Sequence, residues 1–188
     1  PNSIAVLPFV DMSAEKNQEY MSDGMAEELL HLLAQVPDLK VIARWSSFSF
    51  KGKNIEIAEI ARKLNVAHVL EGSVRKSGGR VRITAQLIDG RTGGHVWAER
   101  YDRDLNDIFA LQDEISAAIV GALKLQLLPA EKQAIASRGT SNVAAYDIYL
   151  RGRQLIRREK EAESRAAAEL FRQAARLDPT FAAAYAGL

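Results

Sequence analysis

Val81, Ile83, Ala85 and Leu87 alternate with Arg82, Thr84 and Gln86, a two-residue period that places every apolar side chain on one face of a strand and every polar one on the other. A strand of this kind has one dry face and one wet face, so the chain must supply both sheet partners and a covering layer. The flanking sequence provides them. His68 to Arg75 and His95 to Asp102 read as strands on either side of Arg80 to Asp89, joined through the glycine-rich connections Ser77-Gly-Gly79 and Gly90-Arg-Thr-Gly-Gly94. Connections of hairpin length make an antiparallel meander the economical arrangement. From Asp107 onward Leu111, Ile115, Ala118, Ala122 and Leu125 fall on one helical stripe, which is expected to cover the dry face.

Upstream, Ile4-Ala-Val-Leu-Pro-Phe9 is an almost continuous apolar run closed by Pro8, the pattern of a strand buried on both faces. Met25, Leu29, Leu32 and Val36 then recur at helical spacing, with Asp23 placed to cap the start and Pro37 to stop the helix. Val41-Ile42 predicts a second short strand. It is followed by the polar and aromatic stretch Arg44 to Phe50 and by a second helix from about Ile55 to Leu64, closed by a left-handed Asn65. The order β-α-β-α-β-β-β-α predicts an α/β domain with a mixed sheet over residues 1–128.

Pro129 ends the long helix, and residues 129–142 read as a helical turn and linker. Residues 143–188 are all-α: Ala144 to Arg158 and Ser164 to Leu177 form two helical segments, and Asp178-Pro179 separates them from a third. Ala167, Phe171, Ala174 and Pro179 stand at the spacing of the second helix of a tetratricopeptide (TPR) repeat, with Tyr185 and Leu188 at first-helix positions of the next one. Gly152 is three residues out of register, which places an insertion at Glu159 to Glu163. The array is expected to continue past Leu188, because one repeat cannot bury its own face.

The composition excludes several functions. With 25 Lys+Arg against 24 Asp+Glu, the net charge of +1 leaves no basic face for strong nucleic-acid binding. The absence of cysteine removes disulfides, thiol nucleophiles and thiolate metal sites. No apolar run reaches the ~20 residues of a membrane span. His31, His68 and His95 lie in three separate elements, so no metal site and no catalytic constellation is expected, and no cofactor. The glycine pairs lack a following Lys-Ser/Thr and are read as turns.

Taken together, Ser3-Ile-Ala-Val-Leu-Pro-Phe9, Asp23-Gly24 with Glu27-Glu28-Leu29, Val41 to Arg44 with Ser46-Ser-Phe48 and Phe50-Lys-Gly52, Val69 to Arg75, Arg80 to Asp89, Trp97 to Asp102 and Gln112 to Ile115 resemble the TolB amino-terminal-like domains of bacterial multidomain proteins. The resemblance covers Ser3 to about Leu128, and Tyr149-Leu-Arg-Gly152 matches the segment that leads into TPR repeats in such proteins. It implies a regulatory or sensory module excised from a larger protein. The parent would carry a class III adenylate/guanylate cyclase or a winged-helix domain, in a bacterial cell and in the cytoplasm rather than the periplasm. The implied partner is a protein bound through the TPR surface, with the oligomeric state left open.

Two loops at the carboxyl ends of the parallel strands are the candidate ligand site of the alternative reading, a small-ligand sensor: Phe9, Asp11 and Met12 after the first strand, and Arg44, Ser46 and Ser47 after the second. Glu71 and Glu99 are expected to form cross-strand ion pairs with Arg75, Arg82 and Arg100, a buried anion-binding or ligand-binding face being the sharper alternative. Trp97, Tyr101 and Phe109 read as core rather than as a peptide groove. Arg151 to Arg165, with six basic and three acidic residues, reads as a solvated face. Tyr146 and Tyr149 are expected to form the joint with the α/β domain, which would cap the end of the array.

Overall fold

A computed structural model describes residues 2–125, 139–158 and 161–188. The chain divides into two compact units, 1–136 and 137–188. The helical turn expected within 129–142 falls largely outside the described residues, as does the start of the insertion at 159–160.

In the first unit, β1 (Ser3–Val6) is buried at all four residues and has parallel strands on both sides: β3 (Lys40–Val41) and β4 (His68–Ser77). The sheet continues antiparallel through β5 (Arg80–Asp89) to β6 (His95–Asp104), in the order β3-β1-β4-β5-β6. The mixed sheet and the meander therefore stand as expected. The first strand is shorter than its apolar run, because Pro8 has no N–H to donate. The chain re-enters the sheet as β2 (Val10–Asp11), parallel to Ser73 and Val74 of β4.

The dry face holds Val81, Ile83, Ala85 and Leu87 of β5 and Leu70 and Val74 of β4, all fully buried. Over it lie α1 (Glu19–Leu33) and α4 (Ile108–Ala122), the latter entered through a 3-10 turn at Leu105–Asp107. Two expectations are corrected in α1. Asp23 does not cap it but sits four residues inside, and Val36 lies beyond its end. The helix starts earlier because Tyr20 and Met21 are buried, 6% and 2% exposed; each such side chain contributes roughly 1.5–3 kcal/mol, more than a cap supplies.

The polar stretch after β3 is also helical: α2 (Arg44–Phe48) precedes α3 (Ile57–Leu64), so the observed order carries one strand and one helix more than the sequence pattern indicated. Asn65 ends α3 at φ 51°, as expected. Gly90 lets the turn after β5 close onto α3, since a Cβ there would come within 2.4 Å of the Ala61 Cβ.

In the second unit α5 (Val143–Ile156) and α6 (Glu161–Leu177) form an antiparallel pair: Asn142 at the start of α5 donates to the Leu177 carbonyl at 3.0 Å, and Gly152 meets Phe171. A Cβ at Gly152 would lie 2.7 Å from the Phe171 ring, so glycine permits this approach. Ala167, Phe171 and Ala174 are buried, and Tyr149 packs its ring against Phe171 and Phe181 at centroid distances of 5.6 and 4.9 Å. The Asn142 carboxamide oxygen accepts from Ala145 N, and the Asp178 carboxylate joins Thr140 to Thr180 where α6 gives way to α7 (Ala182–Ala186). Hydrogen bonds from the Thr140 hydroxyl first, and then from Thr180, hold the Asp178 carboxyl below its ordinary range.

Candidate functional site

On the wet side of the sheet the register aligns Glu71 with Gln86 and Ser73 with Thr84. These side chains, with Gly72, floor an open cleft of about 670 Å3. One wall is the chain leaving β1. Its residues Phe9, Asp11 and Met12 line the cleft, while the buried Phe9 ring packs over Gly72 on the dry side of the sheet, where a Cβ would sit 2.8 Å from the ring. Met12 N–H donates to Val74 O at 2.8 Å, fixing the wall to β4. The Asp11 carboxylate closes the next turn by accepting from Ser13 N at 2.9 Å and Gln18 N at 2.8 Å. Burial pushes the Asp11 carboxyl up, but these hydrogen bonds and the Lys16 charge outweigh it and hold the group below its ordinary value.

The other wall is formed by Phe50, Lys51, Gly52, Lys53, Ile55 and Ile57. Gly52 makes the turn at φ 71°, in the left-handed region. Lys51 reaches away from the cleft floor to α1, where its Nζ contacts Glu19 and both Asp23 oxygens, the latter at 2.8 and 2.6 Å. Asp23 is 6% exposed, and burial raises its pKa more than Lys51 lowers it. One turn further on, Glu27 accepts from Arg44 Nε at 2.6 Å. Glu19, Asp23 and Glu27 thus form a ladder at i, i+4, i+8 that fastens the segment 44–51 to α1 through paired charges.

The structure therefore brings one predicted loop to the cleft and not the other. Arg44 is engaged with Glu27 and stacks on Phe48 at 4.0 Å, Ser47 is fully buried, and Ser46 gives its carbonyl to Ser49. Residues 44–48 coil into α2, so the chain reaches the cleft only at Phe50. The residues missed by the sequence reading are Lys51 and Lys53, whose signal was the turn Phe50-Lys-Gly-Lys53, where a glycine breaks the pattern between two basic residues; Glu71 was singled out, but for ion pairs along the strands rather than for this cleft.

The cross-strand ion pairs also fall on a different carboxylate. Arg80 and Arg82 each donate to Asp102 at 2.7 Å, drawing its pKa down, with Arg82 the larger effect. Glu99 instead accepts from the Tyr101 hydroxyl at 2.7 Å, and no ion pair of Glu71 is found among the described residues. Tyr101 and Phe109 are buried, in keeping with a core role.

Chemically, the cleft offers Glu71, Lys53, the hydroxyls of Ser73 and Thr84 and the Gln86 amide above the apolar side chains of Leu7, Ile55, Ile57 and Ile60. No histidine lines it. Among the described residues no group of three or more His, Asp or Glu side chains could hold a metal ion.

The family model for the second domain of HilA/YgeH-like transcriptional regulators matches residues 1–118. The chain belongs to this family. The HilA/YgeH-like domain is accordingly a regulatory domain, and the sheet, both walls of the cleft and most of α4 fall within the match. Over 99% of its length the chain is 48% identical to a protein of Rhizobium meliloti (strain 1021) named "Putative adenylate cyclase 3". It spans about a third of that relative, 32%. Among solved structures it is similar to TolB from Acinetobacter baumannii, with TM-score 0.48 and 16% identity over 65% of this chain and 28% of that one. Lipoprotein GNA1162 from Neisseria meningitidis matches with TM-score 0.48 and 20% identity over 68% of this chain and 100% of its own. No helix among the described residues is long and apolar enough to cross a membrane.

Proposed function

We propose that the chain is a non-catalytic regulatory and interaction module of a larger bacterial signalling protein, one that carries a class III adenylate/guanylate cyclase domain elsewhere in its sequence and works in the cytoplasm. The observation that carries this reading is the 48% identity, over 99% of the chain, to a relative that bears a cyclase name and is about three times as long. The regulatory family of residues 1–118 supports the non-catalytic part. In this reading residues 143–188 are a TPR-type hairpin that contacts a protein partner. Support comes from the antiparallel α5–α6 pair, its buried Ala167, Phe171 and Ala174, and the exposed Tyr185 and Leu188 on which a following repeat would pack. The test is cyclic-nucleotide production by the full parent against a parent lacking these residues. A changed rate or a lost response to partner is expected; identical activity and identical partner recovery would reject the module.

A second reading, a small-ligand sensor controlling an attached cyclase or DNA-binding domain, is favoured by the cleft itself. Phe9, Asp11 and Met12 line it beside an apolar floor edge and an unpaired Glu71, which suits a small molecule with an apolar body and a hydrogen-bond-donating or cationic end. A thermal-shift screen of nucleotides, amines and amino acids tests it: a ligand at 100 times its Kd adds about 2.7 kcal/mol to stability. Glu71→Gln should abolish the shift, and a flat screen would leave the interaction reading alone.

A further inference from the structure

β6 is the last strand of the sheet, and among the described residues no strand pairs with its outer edge. It is ten residues long, and a long open edge presents unpaired N–H and C=O groups to any matching strand. The groups that face outward follow from the register. Arg80 pairs with Asp104, and Leu105 N donates to Gly79 O at 2.7 Å on the same diagonal. Odd-numbered residues of β6 therefore bond inward to β5, and Ala98, Arg100, Asp102 and Asp104 turn their backbone groups outward.

We propose that this edge pairs with β6 of a second copy of the chain, antiparallel and centred on Tyr101. The two sheets then join into one, with both dry faces on the same side. Two-fold symmetry with backbone hydrogen bonds between even-numbered residues restricts the register to a few choices. Centring on Arg100 sets Arg100 against its own copy, centring on Asp102 does the same for that carboxylate, and centring on Glu99 opposes two Glu99 side chains. Centring on Tyr101 puts Arg100 opposite the second copy's Asp102 and Glu99 opposite its Arg103, each twice by symmetry. The run Glu99-Arg-Tyr-Asp-Arg103 thus reads as its own complement in one register and repels itself in the neighbouring ones.

Charged residues on an edge strand ordinarily keep copies apart. Here their signs select a single mode of pairing instead. Arg100 forms no ion pair among the described residues, so its guanidinium is available to the neighbouring copy. That copy's Asp102 already gathers Arg80 and Arg82, and the arginine–aspartate row would run on across the join. An edge pairing of this size is small compared with a permanent dimer interface, so a weak, concentration-dependent dimer is expected, with a Kd on the order of 100 µM.

Sedimentation equilibrium of the 188-residue chain up to about 1 mM tests the proposal. The wild-type chain should dimerise. Arg100→Pro should be monomeric yet folded by circular dichroism, because the Arg100 N–H points away from β5 and its loss spares the internal ladder. Glu99→Arg alone and Arg103→Glu alone should each weaken the dimer about tenfold or more by opposing like charges, while their equimolar mixture should recover it as a heterodimer. A wild-type chain that stays monomeric, an Arg100→Pro chain that still dimerises, or a mixture that does not recover would each overturn the proposal.

Discussion

Replacing Phe171 by alanine is expected to unfold residues 143–186 while leaving the α/β unit intact. The ring is 2% exposed and fills the space that Gly152 and Gly187 leave open, where a Cβ at either position would lie 2.7 Å from it. It also supports Tyr149 at 5.6 Å. Removing a buried phenylalanine costs about 3–5 kcal/mol, because neighbours pinned by glycine contacts cannot collapse into the void. A helical hairpin of this size has roughly that much stability in total. Amide hydrogen exchange checks the outcome: protection in α5 and α6 should be lost and protection in β4 to β6 retained. Protection persisting at Tyr146 to Leu150 would mean that this ring does not hold the hairpin together.

How much was legible follows from which signals are local. The limits of β5 were readable because alternation is a property of the strand itself, and the meander followed from glycine-rich turns of two and five residues. The mixed sheet was readable from the two apolar runs before it. The cleft was half legible. β1 lies between two parallel strands, so the loop that follows it must open at the carboxyl edge of the sheet, and Phe9, Asp11 and Met12 are found on the cleft wall there.

The second wall was not readable because it depends on tertiary pairing. Arg44 to Phe48 has no helical periodicity, and α2 lacks a side-chain cap; its position is fixed by Arg44 on Glu27 and by burial of Ser47. Five residues of unrecognised helix moved the wall from Arg44 to Phe50 and Lys51. Asp23 was misplaced for the same reason. A carboxylate near a helix start is read as a cap unless a partner 28 residues away in sequence is known to claim it.

That partner sets the second large effect. Lys51→Met should destabilise the α/β unit by about 2–4 kcal/mol at neutral pH, somewhat less than the loss of one partner from a fully buried pair, because Lys51 is about a third exposed. The cost comes from an unpaired carboxylate at 6% exposure, so Lys51→Met with Asp23→Asn should recover most of it, and the double-mutant cycle should be strongly non-additive. The pH dependence has a definite sign. Burial raises the folded-state pKa of Asp23 above its ordinary 3.8, so the folded state binds that proton more tightly than the unfolded chain. The resulting stabilisation is complete below 3.8 and is lost as pH rises through the raised folded value. Without Lys51 the folded pKa rises further, and the window extends toward neutrality. The deficit of Lys51→Met, measured by urea unfolding, should therefore shrink as pH falls from about 7 toward 4. A deficit constant across that range, or one that Asp23→Asn leaves unrepaired, would show that Lys51 stabilises the fold through its stem packing and not through its charge.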